Sequence, residues 1–240
     1  MTGPVATGSR AASRREAVER ASRRARWAIG AVTVSAVSGL VSEFAFEHFL
    51  SQVHRGADAD RGDPFISLAA VTSLGWLASA IAVVLFLVWV YRAAANVALL
   101  ESPIAVRPGE VVVAYFIPIL NLFRPYQAMK AIYRGSDPTP LGDLPAFRDR
   151  TDPDYRGGAR EAIAPPQWAF RAPILGWWLL YVLRPVPVVV PMAARGMGIA
   201  PLLGNVWDVA AAVACVLVIR SVDARQRERC RRLEAMHRSS

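Results

Sequence analysis

Arg92 and Asn96 lie four residues apart, one helical turn, directly after an uncharged run ending in Trp89, Val90 and Tyr91. A guanidinium and an amide on one helix face can bind a carboxylate, a phosphate or exposed backbone. A segment with such a need follows closely. Pro118 has no N–H and leaves a carbonyl one turn earlier without its donor, Asn121 offers both donor and acceptor, and Pro125 restarts the chain as an amphipathic piece. Arg92, Asn96, Pro118, Asn121 and Pro125 therefore form the candidate cluster. It either holds residues 111–134 against the preceding helix or binds a ligand at a broken helix. The plainer alternative is that Arg92 snorkels to lipid phosphates.

Arg184 and Asp208 are the two charges set deepest in apolar sequence. Arg184 lies 16 residues beyond Trp168, and Asp208 lies 12 before Arg220. At the helical rise these depths are ~24 Å and ~18 Å, close enough for a long arginine to reach the aspartate. A charge in a membrane suggests function by default, yet an Arg–Asp pair that pins two helices is the simpler account. Glu43 sits at a depth where it can join them. Glu47, His48, His54 and Asp58 can be sketched as a metal site, but their spacing matches no recognised ligand set. The sequence lacks a Gly-rich phosphate loop, a G-x-S-x-G elbow, H-E-x-x-H and C-x-x-C. No catalytic, cofactor-binding or metal-binding residue is assigned, and a non-enzymatic protein is expected.

The elements that must position these residues are membrane helices. Pro64 to Tyr91 is 28 residues without a formal charge, where about 20 suffice to cross a bilayer. Of 240 residues, 54% are hydrophobic, more than one soluble core needs. The formal charge of +9 comes almost wholly from arginine, since Lys130 is the only lysine. The arginines flank the apolar runs, where anionic lipid head groups would meet them, and this excludes nucleic acid as the expected partner. Cys215 in an apolar run and Cys230 in an Arg-rich tail make no disulfide framework. The arginine, alanine and valine bias reads as bacterial.

Residues 1–26 hold seven arginines, with Ser13 and Glu16 at capping-box spacing, and form a basic cytoplasmic tail. The membrane domain spans 27–222, with crossings at about 27–50, 64–91, 168–194 and 199–219. Ala31, Ser35 and Gly39 make a stripe of small residues on the first crossing, suited to close helix approach. Trp89 and Tyr91 read as the aromatic belt ending the second. Val111 to Phe123 is uncharged but only 13 residues long, too short to cross, so 111–134 is predicted to be re-entrant or interfacial. Residues 135–166 carry six prolines and five aspartates and read as a mobile cytoplasmic loop. Residues 223–240 form a second basic cytoplasmic tail. Of 28 basic residues, 24 then fall on one side, which the positive-inside rule makes the cytoplasm.

The stretch Val88-Trp89-Val90-Tyr91-Arg92-Ala93-Ala94-Ala95-Asn96, followed by Tyr115-Phe116-Ile117-Pro118-Ile119-Leu120-Asn121-Leu122-Phe123-Arg124-Pro125-Tyr126-Gln127, resembles the signature of a bacterial membrane family called domain of unknown function 4328. The family pattern continues with a Trp-rich span, matched by Gly176-Trp177-Trp178, and a Gln/Arg tail, matched by Gln226-Arg227. The resemblance covers roughly 65–230. It implies the order of membrane elements and brings no biochemical activity.

The expected fold is an all-α polytopic membrane bundle: four transmembrane helices and one Pro-broken re-entrant or interfacial segment. The expected setting is the bacterial inner membrane with both termini cytoplasmic. The expected role is self-association or binding of a membrane partner, with anionic lipid at the Arg-rich tails. The alternative is a small transporter or channel subunit with its site around Pro118 and Asn121.

Overall fold

The structure is a computed structural model that describes residues 4–54, 63–138, 167–183 and 200–239. These are helical almost throughout, with no strand among the described residues. The helices are α1 (Pro4–His54), α2 (Asp63–Leu99), α3 (Pro108–Val113), α4 (Pro118–Asn121), α5 (Arg124–Gly135), α6 (Gln167–Val182) and α7 (Ala200–Ser239). Three of them, α1, α2 and α7, are long and apolar enough to cross a membrane. The predicted crossing at 168–194 is described as helix only over α6, and residues 184–199 lie outside the described residues. So do 139–166 of the expected mobile loop.

Two helices run through the expected junctions between basic tail and apolar span. No break separates the basic residues before Trp27 from the apolar run after it, nor Ile219 from the arginines that follow. Alanine and arginine are both strong helix formers, so nothing in either junction stops the helix. Ser13 consequently lies inside α1 and not at its start. The predicted 111–134 segment is three short helices, α3 to α5, with extended backbone at Ile117 and a second break at Phe123. Pro118 opens α4 and Pro125 is the second residue of α5, first-turn positions where a missing N–H costs nothing.

The chain divides into two compact units. One comprises 23–90 and 176–219, the apolar lengths of α1, α2 and α7 with part of α6. Its large apolar side chains face outward: Phe44 is 72% exposed and Trp76 75%. Such a surface is unsuited to water and suited to lipid. Its hydroxyls are satisfied locally, as when Thr33 and Thr72 donate to the carbonyls of Ile29 and Leu68 at 2.9 and 2.8 Å. Ser35 of the predicted stripe pairs with Ser79 of α2 at 2.9 Å, and Gly75 brings α2 against Ser42. Gly39 of the same stripe meets nothing, so the close approach runs along Ser35 and Ser42 instead. Trp89, expected at the lipid interface, is 1% exposed and packs on Phe86, which also meets Trp177. An aromatic at the end of an apolar run serves belt or core equally well by sequence; a neighbouring helix decides between them.

The other unit comprises 1–22, 91–175 and 220–240. Here the start of α1, the end of α2, α5 and the end of α7 bury one another. The buried positions of α1 are Arg14, Val18 and Ala21; those of α7 are Val222, Gln226, Arg229 and Leu233, at alternating four- and three-residue steps, with Cys230 beside Arg229. Pro125, Met129, Ile132 and Gly135 form the buried face of α5. Gly135 is essential to this packing, since a Cβ there would lie 2.5 Å from Val97 Cγ1. Val97 is fully buried and β-branched, so it has no free rotamer to escape into. Gly135→Ala is expected to cost about 1–3 kcal/mol, read as a lower unfolding midpoint in detergent. Adding Val97→Ala should restore much of the loss; unchanged stability in Gly135→Ala would show that α5 does not approach α2 this closely.

Candidate functional site

The end of α2 organises the second of these units. Leu99 is followed by Leu100, then by Glu101 with φ 53° in the left-handed region, and then by Ser102 and Pro103. Ser102 N–H donates to Val97 O at 3.4 Å and Glu101 N–H to Ala98 O at 3.2 Å. This is the Schellman closure, with glutamate where glycine is usual. A non-glycine residue there costs roughly 1–2 kcal/mol, so something must favour the glutamate.

Two arginines supply the reason. Arg14 Nε donates to Leu99 O at 2.9 Å, and its guanidinium pairs with the Glu101 carboxylate. Arg229 Nε donates to Leu100 O at 2.7 Å, and its other nitrogens reach the carbonyls of Glu101 and Asp137. Both arginines are buried, each residue 7% exposed. Carbonyls that α2 cannot use itself thus receive cationic donors, the favourable sign for a helix C-terminus. Burial pushes Arg229 below the usual guanidinium range, opposed by the nearby acids Asp137 and Glu101 and reinforced by Arg14. Arg225 completes the arrangement, lying 4.2 Å over the Tyr133 ring and bonding Asp137 at 2.8 Å.

One turn back along α2 is a neutral polar node. Gln226 Nε2 donates to Ala93 O at 2.8 Å and to Ser136 Oγ at 3.1 Å, while its Oε1 accepts from Asn96 Nδ2 at 3.1 Å. Ser136 Oγ in turn donates to Ile132 O at 2.7 Å. Gln226, Asn96 and Ser136 are all buried. One amide therefore ties α7 to α2 and to the end of α5, with both of its N–H donors in use.

The predicted cluster is distributed as follows. Asn96 is buried, with Gln226 as its hydrogen-bonding partner. Arg92 is exposed and lies 5.9 Å over the Tyr91 ring. Pro118 and Asn121 open and close α4, and Asn121 N–H bonds Ile117 O at 2.8 Å. Pro125 is buried at the start of α5. Asp208 on α7 interacts electrostatically with Glu43 of α1, and Arg184, its predicted partner, lies outside the described residues. Among the described residues no group of His, Cys, Asp or Glu is arranged to hold a metal. Sequence reasoning passed over Arg14, Ser136 and Arg229, and saw Gln226 only as part of a tail. The signal for the α7 residues was present, because Val222, Gln226, Arg229 and Leu233 continue the apolar spacing into the arginine-rich stretch.

Outward-facing apolar helices, with a polar node and two arginines fastening their ends, define an all-helical protein embedded in a membrane. The chain belongs to the family described as Domain of unknown function (DUF4328), which matches residues 54–224. No curated protein and no solved structure matches it. Asn96, Gly135 and Ser136 fall inside the family match, whereas Arg14, Gln226 and Arg229 fall beyond its ends.

Two expectations follow. Gln226→Leu strands the buried Asn96 amide and should cost ~1–3 kcal/mol, while Gln226→Leu with Asn96→Leu should recover most of it. Losses that simply add would mean the two amides do not meet. Cys230, buried beside Val18, Leu100 and Leu233, has its thiol pushed up from 9.0 to about 11 by burial and then by Glu234. A raised folded pKa contributes stability below the unfolded value that is lost as pH rises through the folded one. Alkylation of Cys230 near pH 9 should therefore be slow in the folded protein and fast in Val18→Asp. Equal rates would show that α1 does not cover it.

Proposed function

We propose that the protein is a non-enzymatic four-span module of the bacterial cytoplasmic membrane that works by associating with a membrane partner or a second copy of itself. The observation that carries this reading is how the buried polar groups are used. Gln226 spends both donors and its oxygen within the fold, and Arg14 and Arg229 spend theirs on the end of α2. The groups best suited to hold a ligand hold helices instead.

The same contacts support the topology. Arg14 precedes the apolar length of α1 and Arg229 follows that of α7, yet both bind the last residues of α2. These three helix ends thus lie on one side, and the bulk of the arginines makes that side cytoplasmic. On this reading α7 begins on the opposite side, and α6 is the proposed fourth crossing. Exposed arginines, among them Arg23, Arg24 and Arg26, face outward where anionic head groups can meet them. Nucleic acid has no part in this reading.

The alternative is a small transporter or channel subunit. Its support is the backbone around Pro118 and Asn121, broken at Ile117 and again at Phe123, since discontinuous helices line many solute sites.

Reporters fused after Ser240 and inserted near Gly142 should read cytoplasmic, and one within 51–64 external. An external signal near Gly142 would overturn the four-span arrangement. Purified in mild detergent from native membranes, the chain should carry a stoichiometric membrane protein or a second copy. A monomer that binds a solute, and loses it in a well-folded Asn121→Ala variant, would replace association with transport.

A further inference from the structure

Residues 113–123 present an apolar surface that no described element covers. Phe116, Ile119 and Phe123 are 69%, 75% and 58% exposed, and Val113, Ile117 and Leu122 are exposed beside them. The run contains no charge from Val111 to Phe123; Glu110, paired with Arg107 at 2.8 Å, precedes it and exposed Arg124 follows it. Patches of this kind are rare on surfaces that face water.

The backbone of the run is adapted to the same environment. The N–H groups of Ala114, Tyr115, Phe116, Asn121, Leu122 and Phe123 bond carbonyls three or four residues back, at 2.8 to 3.4 Å. Pro118 removes a further donor. A segment that supplies its own hydrogen bonds tolerates a medium poor in water. The next helix supplies the anchor, since α5 starts at Arg124 and buries Pro125, Met129 and Ile132 against its own unit. The apolar run is thus held out from a packed base.

Lipid is the occupant that these features fit. The rest of the chain already turns Phe44 and Trp76 outward as lipid-facing residues do, and exposed Arg124 at the end of the run matches the charge of a phosphate group. With 13 uncharged residues and a four-residue α4, the run is too short to cross. We infer that residues 113–123 enter one leaflet as a shallow wedge, Phe116 and Ile119 among the upper acyl chains, with Arg124 at the phosphates and the Arg107–Glu110 pair at the head-group level. The inference borrows from the proposed topology only the choice of the cytoplasmic leaflet. Its depth can be measured whichever side the wedge occupies, so the two can fail separately.

The test uses the full chain reconstituted in vesicles of phosphatidylcholine and phosphatidylglycerol. Phe116→Cys, Ile119→Cys and a reference, Gly109→Cys, each receive an environment-sensitive fluorophore, with labelling of the unsubstituted chain subtracted. Gly109 has open space around it, and the native Cys215 and Cys230 are buried. Labels at 116 and 119 should be blue-shifted and shielded from aqueous iodide relative to 109. They should also be quenched by lipid nitroxides, more strongly by one placed near the head group than by one near the chain end. Iodide quenching equal to that at 109 would overturn the wedge by placing the run in water. Shielding from iodide and from both nitroxides would overturn it in favour of a protein cover, either another part of this chain or a second copy. Stronger quenching from the chain end would overturn shallow insertion in favour of a deep re-entrant segment.

Discussion

A helix that ends inside a packed structure presents carbonyl oxygens that it cannot satisfy itself, and the end of α2 is governed by that constraint. The Schellman closure takes care of Val97 and Ala98 but leaves Leu99, Leu100 and Glu101. Water is the ordinary remedy. Here Leu100 is fully buried, and the donors must come from side chains long enough to arrive from other helices. Arginine meets the requirement because its planar fork places several N–H groups on neighbouring acceptors at once. One such fork comes from each terminal helix, so α2 is the element on which α1 and α7 converge.

This arrangement explains the glutamate at a left-handed position. Glycine would ease the backbone but would give Arg14 no carboxylate to pair with, leaving a buried charge underused. It also explains why the polar node is built from amides. Gln226 and Asn96 can donate and accept within a layer already carrying two buried guanidiniums, without adding charge. The guanidiniums settle on the frayed end of α2. The amides settle one turn earlier, where the helix carbonyls already have partners and only weak further donors are needed.

The membrane character was legible from the apolar runs, because about 20 uncharged residues admit few other readings. So was the interruption at Pro118, from its missing N–H; Asn96 was read together with Arg92, and here Asn96 is buried against Gln226 while Arg92 is exposed. The partner of Asn96 was not legible. Gln226 stands 130 residues away in a stretch whose composition is dominated by arginine, and composition averages over the very faces that distinguish a buried position from a solvated one. Arg14 and Arg229 were hidden for the same reason, each sitting among outward-facing arginines of the same type. The small-residue stripe was half legible: Ser35 does meet α2, but spacing alone could not say that Ser42, and not Gly39, continues the contact.

The family match adds a constraint of a different kind. It begins at His54 and ends at Ala224, so it contains α2, the three short helices and the start of α7, but neither arginine clamp. Within that core the close contact of Gly135 with Val97 and the Asn96 and Ser136 side of the node are already present. What the flanking helices bring is closure: a cationic cap on α2 from each side and the amide that joins the node. A membrane module whose core presents an open helix end and an incomplete polar layer needs something to complete both. In this chain the completion is intramolecular, supplied by its own first and last helices. It follows that substitutions at Arg14 or Arg229 act on the core through the end of α2.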